Sequence, residues 1–193
     1  ARFQVAVVYI FGGIAKLNYD WLRGEPMTSW MAIRADWPVL GPLLGMPSTG
    51  LAMAWSGMLL DLFIVPFLMW SRTRRFAFGA VLIFHGFNAI LFKIGVFPAL
   101  MVILTTVFFS ADWCAQRRTE AQQKPRAMAR WVAPVVVVWM VLQIAIPARS
   151  WFYEGHTSWT EEGHRFSWRM KLRSKVGRVV FHALDKERGT HHV

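Results

Sequence analysis

Five apolar runs constrain what this chain can fold into, because a helix needs about 20 largely apolar residues to cross a bilayer. They cover roughly 3–19, 50–70, 76–92, 95–111 and 130–147. The third and fourth are joined by the tight step Lys93-Ile94-Gly95. Between the first and second, 22–49 carries Pro26, Pro38, Gly41, Pro42, Gly45 and Pro47. Its apolar pieces are too short to span, so it reads as an interfacial or re-entrant connection. Eleven Trp and fifteen Phe in 193 residues fit aromatic belts at two interfaces. The expected architecture is an all-α, polytopic bundle of about five membrane segments over 1–148. The start of a β-containing extracytoplasmic domain follows over 149–193, where Val176–Phe181 has strand character.

The formal charge of +11 would suit a nucleic-acid binder, but its placement argues otherwise, since Lys and Arg fall between the apolar runs. Two basic loops, Ser71–Arg75 and 112–130, lie on one side by alternation and are expected to be cytoplasmic. The 22–49 connection and the tail after Pro147 then lie on the far side, where nucleic acid is not an expected partner. The single Cys114, in a polar loop, excludes an intrachain disulfide and a multi-cysteine metal site. The chain opens at Ala1 inside an apolar run, which reads as a fragment whose upstream part is missing.

Lys16 closes the first run, after Gly12 and Gly13. One reading is a snorkelling lysine whose ammonium reaches the headgroups. The other is a lysine in a low-dielectric pocket, where desolvation disfavours the ammonium and leaves an amine able to act as a base. Asn18, Asp20 and Trp21 beside it favour the second, and the two glycines allow close approach by a neighbour or ligand. Asp61, within MLLDLF, must face the bundle, a pore or a partner, and serves equally as structural anchor or functional group. His85 and Asn88 share a helical face. A satisfied core histidine is the plainer account of His85, and the shared face favours a functional one. Neither spacing resembles a metal site. In the tail, aromatic residues alternate with Arg165, Arg169 and Arg173, which suit an anionic carboxylate.

Four ordered segments, GGIAKLNYDWLRGEPM, LLDLFIVPFLMWSRTRR, FHGFNAILFKIGVFP and WTEEGHRFSWRMKLRSK, together resemble the vitamin K-dependent γ-glutamyl carboxylase family over nearly the whole chain. Bacterial members carry the same membrane module, the HTTM domain, so the resemblance implies a bacterial inner-membrane protein. It further implies that Lys16 is the base that deprotonates reduced vitamin K, a hydroquinone. Reaction with O2 then yields a base strong enough to remove a γ-proton from a peptide glutamate. CO2 captures the carbanion, and the vitamin leaves as its epoxide, with no metal required. His85 matches the family's FH-x-x-N histidine at the quinone site, with Asn88 beside it. Trp168, Met170 and Arg173 fall in the motif lining the junction of the membrane and lumenal parts. Trp168 and Met170 are expected to bind the cofactor, and Arg173 the glutamate carboxylate.

The departures are specific. The family's upstream membrane helices, which add a polar pair to the site, are absent from this sequence, as is the large propeptide-binding lumenal region of the animal enzymes. Arg173 stands where those enzymes have histidine, and Lys171 where a second methionine is usual. The chain is thus expected to be an incomplete catalyst, with membrane lipid, a glutamate-containing peptide and the missing parts of the parent as partners. A non-catalytic quinone- or lipid-binding membrane module of the same fold is the alternative. A transporter ranks last, because paired broken helices are lacking.

Overall fold

The computed structural model describes residues 1–92, 94–109, 129–155, 157–169, 179–180, 183–184 and 191–192. Each apolar run is helical: α1 (Arg2–Ala15), α5 (Pro47–Met69), α6 (Arg74–Leu91), α7 (Phe97–Thr105, continued as a 3₁₀ turn to Phe108) and α8 (Val132–Ala148, continued as a 3₁₀ turn to Phe152). Among the described residues two stretches, Pro47–Met69 and Val132–Phe152, are long and apolar enough to cross a membrane, where five were expected; Arg2–Ala15 and Phe97–Phe108 are shorter. α6 interrupts its apolar sequence with Arg74, Arg75, His85 and Asn88. The 22–49 connection folds into short helices, of which α3 (Met27–Ala32) and α4 (Gly41–Leu44) follow the single-turn α2 (Tyr19–Leu22).

The described residues do not show the expected β-containing domain. Among the described residues, strand pairing is limited to β1 (Ala183–Leu184) antiparallel to β2 (His191–His192), with α9 (Thr157–Thr160) upstream. A pair this short has too few cross-strand contacts to stand as a sheet. Val179 and Val180 are irregular, and the rest of the anticipated strand lies outside the described residues. So do Cys114 and the basic loop at 112–128.

α5 is the central element. It packs against α1, α3 and α6 and divides the interior into two apolar clusters. Ile64, Val65 and Leu68 join Val5 and Val8 of α1, Val81 of α6 and Met101 of α7 in one. Ala54 and Met58 join Trp21, Met27 and Met31 in the other. Asp61 lies on α5 between the two sets. In lipid, apolar side chains gain little by leaving one hydrocarbon for another, so close backbone approach carries the packing. At Gly13, a Cβ would come within 2.8 Å of the Leu62 side chain and 3.0 Å of its backbone nitrogen. Glycine at that position lets α1 lie against α5. Arg2 fixes the other end of α1, its Nε donating to the Val107 carbonyl at 3.0 Å.

α8 stands apart. Val135 to Val138 are 45–58% exposed, and the apolar stretch as a whole is almost unburied. Phe3 meets Trp139 edge-on and Phe11 stacks on Trp151, both with centroids 6.0 Å apart. An apolar surface of this extent is suited to lipid or a further protein surface, not to water.

Candidate functional site

The end of α1 explains the local sequence around Lys16. A helix leaves its last four carbonyls without intrahelical partners. Here all four are satisfied within three residues. Gly12 O accepts from Lys16 Nζ at 3.2 Å, Gly13 O from the Lys16 amide at 3.0 Å, and Ile14 O from the Leu17 amide at 2.9 Å. Ala15 O accepts from Asn18 Nδ2 at 3.0 Å. Asn18 then caps α2, its Oδ1 accepting from the Trp21 amide at 3.0 Å. That turn drives the Trp21 indole under α5, where Nε1 donates to Ala54 O at 2.8 Å. Lys-x-Asn-x-x-Trp is thus a structural unit: it ends one helix, starts the next and folds Lys16 back into the protein.

Lys16 does not snorkel outward. Its side chain is 13% exposed and ion-paired with Asp61, itself 10% exposed. The Nζ also lies 5.6 Å from the centroid of the Trp21 ring. Asp61, open between anchor and functional group on sequence alone, is the direct partner of Lys16.

A second polar chain lies on the neighbouring helices. His85 is 3% exposed, with Nε2 3.1 Å from the Tyr9 hydroxyl. The Tyr9 hydroxyl lies 3.2 Å from Thr105 Oγ1, which donates to Met101 O at 2.7 Å. Counting protons orders this chain. Thr105 uses its only proton on Met101, so Tyr9 donates to Thr105, and His85 donates to Tyr9 from Nε2–H. A neutral His85 therefore keeps a lone pair on Nδ1, an atom that is buried and has no partner among the described residues. Phe84 and Phe97 meet its ring edge-on at 5.1 and 6.3 Å. Tyr9→Phe should cost about 1–3 kcal/mol by stranding the Nε2–H. Thermal unfolding measures that loss, and nitrogen NMR of labelled histidine should show the Nε2–H tautomer giving way to a mixture.

Both polar groups open on one cavity of about 550 Å³. Tyr9 and Gly12 from α1, Lys16 at its C-terminal cap, Asp61 from α5, and His85 and Asn88 from α6 line it. Trp30, Trp37 and Leu40 from the 22–49 region form part of its wall. Trp168 reaches it from the tail, packed against the cluster of α1, α5 and α6. Its φ of 56° is left-handed, a conformation that a bulky residue holds only when its surroundings fix it. Lys16, His85, Asn88 and Trp168 thus share one chamber. Met170 and Arg173 lie outside the described residues. Arg169, half-buried beside Trp168, has its guanidinium pushed below the usual value by desolvation. Among the described residues no cluster of His, Cys, Asp or Glu has the make-up of a metal site.

Sequence reasoning missed Tyr9 and Thr105. Tyr9 lies two helical turns before Lys16, a signal that was present but unused. Thr105 gave none, because only the packing of α7 against α1 makes it a partner.

Comparison with known families places two consecutive matches on the chain. Residues 1–113 match the HTTM domain, and residues 128–193 match the vitamin K-dependent gamma-carboxylase lumenal domain. The second match begins ahead of α8 and includes it. No solved structure matches the chain.

Proposed function

The chain belongs to the vitamin K-dependent γ-carboxylase family, and from that membership we propose that it forms the quinol-handling part of a membrane γ-glutamyl carboxylase. The observation that carries this reading is the apolar chamber on which Lys16, Asp61, His85 and Asn88 converge. Its volume is in the range of small-molecule sites, and an apolar wall with a few convergent polar groups suits a fused aromatic ring with two hydroxyls and a prenyl tail. The Nδ1 of His85, without a partner among the described residues, suits a hydroxyl donor. Reduced vitamin K, with O2, supplies the strong base that removes a glutamate γ-proton so that CO2 can add to the carbanion.

The protein's own groups have separable tasks in this proposal. The Lys16–Asp61 pair handles the proton of a bound hydroxyl, and Lys16 Nζ presents positive charge to its oxygen. His85 Nδ1 accepts from a second hydroxyl or orients the first, with Tyr9 holding the ring. Asn88 adds an amide at the same wall, and Trp168 closes the chamber from the tail side. Met170 is assigned to the cofactor on the family motif alone. Arg173, with Arg165 and Arg169, is assigned to the glutamate carboxylate. α1, α5, α6, α7 and α8 are all assigned to the membrane, with 71–75 and 112–130 cytoplasmic and the tail outside, as in a bacterial inner membrane.

The test uses full-length protein in nanodiscs, given reduced vitamin K, a glutamate peptide and labelled bicarbonate. Epoxide together with labelled peptide is the expected result. Epoxide without labelled peptide would retain the quinol site and discard glutamate as substrate. Neither product from folded protein would leave a non-catalytic quinone- or lipid-binding module.

A further inference from the structure

We propose that residues 149–168 form a rim lying in the outer headgroup layer of the bilayer, with Phe152, Trp159 and Phe166 inserted among the lipids. The proposal uses the membrane assignment of α8 and is independent of the quinol reading. This segment sorts its side chains the wrong way round for water. Ser150, Thr157 and Ser167 are 2–5% exposed, whereas Phe152, Trp159 and Phe166 are 71–87% exposed. Trp151 and Tyr153 are exposed as well. In an aqueous domain large rings go inside and hydroxyls stay out. Here the buried hydroxyls serve the backbone. Ser150 Oγ donates to Pro147 O at 3.0 Å, Thr157 Oγ1 to Ser150 O at 3.4 Å, and Ser167 Oγ to His164 O at 2.6 Å. Arg149 donates to Ile146 O at 3.2 Å and to Arg165 O at 2.6 Å. Carbonyls satisfied from within suit a segment that meets little water, because an unpaired backbone group is costly there.

The place of the segment in the fold identifies lipid as what covers it. Its first residues are the 3₁₀ end of α8. Trp131 and Trp151, both exposed, stand about 20 residues apart on this stretch, or about 30 Å at the rise of an α-helix. That matches the hydrocarbon thickness of a bilayer, so the two indoles mark its two boundaries. The chain does not then run away from the boundary. Gly163 lies against the end of α8, where a Cβ would meet the Tyr153 ring at 2.7 Å and Ser150 Cα at 2.9 Å. That contact holds the 157–168 turn beside Trp151. Arg149, Arg165 and Arg169 are matched in number by Glu154, Glu161 and Glu162, so attraction to anionic headgroups is weak. The aromatic rings therefore carry the contact. Ser167 and Trp168 follow Phe166 directly, so the depth of the rim sets the level at which Trp168 closes the chamber.

The test places a nitroxide label on the full-length protein in nanodiscs, at Phe152→Cys or Phe166→Cys, with the native cysteines changed to serine. Val137→Cys in α8 is the lipid reference, and Arg72→Cys, in the turn between α5 and α6, is the water reference. Collision of each label with O2, which concentrates in lipid, is compared with collision with a water-soluble nickel chelate. Labels at 152 and 166 should fall between the two references, about 5–10 Å into the headgroup region. Their depth should be the same in neutral phosphatidylcholine and with anionic lipid added. Either site alone decides, so one variant that fails to fold leaves the other. Chelate access equal to that at Arg72 would overturn the proposal. So would shielding from both reagents, which would mean that a protein surface covers the rim. Insertion only with anionic lipid would overturn it too, since arginine would then carry the contact. Water-like access at Val137 would take α8 out of the membrane, and the rim with it. Epoxide formation is read separately, so the rim can fail while the quinol reading stands.

Discussion

Lys16→Ala is expected to lower quinol-dependent epoxide formation by about 10²–10⁴-fold, the range for losing a positioned proton-handling group. The same substitution removes the partner of Asp61, whose side chain is 10% exposed. Breaking a buried pair from one side costs about 3–5 kcal/mol, because the remaining charge has no compensation. Activity could therefore fall for either reason, and a second variant separates them. Lys16→Met combined with Asp61→Leu removes both charges and fills similar volume, an exchange that is often neutral or stabilising. The single variant should unfold at lower temperature and form almost no epoxide. The double variant should regain the parent's thermal stability and still form almost none. Normal epoxide formation by folded Lys16→Ala would take Lys16 out of the mechanism.

The pairing that makes this prediction necessary was only half legible in the sequence. Lys16 and Asp61 each stood out as a charge within an apolar run, because lipid makes such a charge expensive. Their contact spans 45 positions and depends on how α1 crosses α5, which no local pattern records. Gly12-Gly13 hinted at a close neighbour without identifying Leu62 as that neighbour. His85 and Asn88 were placed together correctly by helical spacing, and both line the chamber. Tyr9 was missed because a tyrosine in an apolar helix is ordinarily read as core. It is core, at 2% exposed, and it also determines which His85 nitrogen carries the proton. The helices were legible from run length. A strand over 176–181 rested on composition alone, and where it falls on described residues it is not seen.

The chamber wall contributed by 22–49 depends on one glycine that the sequence did not single out. Gly50, in the first turn of α5, lies against α3: a Cβ there would meet Thr28 Cα and Oγ1 at 2.5 Å and Thr28 N at 2.8 Å. Two of those atoms are backbone, so no rotamer change relieves the overlap. α3 must move away from α5, carrying Met27 and Trp30 of the chamber wall with it. Overpacking typically costs about 1–3 kcal/mol, occasionally more, and contact with backbone puts Gly50→Ala at the upper end. Gly13→Ala should cost less, because its closest contacts are side-chain atoms of Leu62 that can rotate. Gly79, in α6, is the control, with nothing within 4 Å of its added Cβ. Gly79→Ala should gain up to about 1 kcal/mol from helix propensity. Thermal unfolding of the three variants should therefore order them Gly79→Ala, Gly13→Ala and Gly50→Ala from most to least stable. Quinol affinity should fall only for the last two, since they alone displace helices that line the chamber. Parent-like stability and affinity in Gly50→Ala would mean that α3 does not lie at this distance from α5, and that the 22–49 connection does not form the chamber wall.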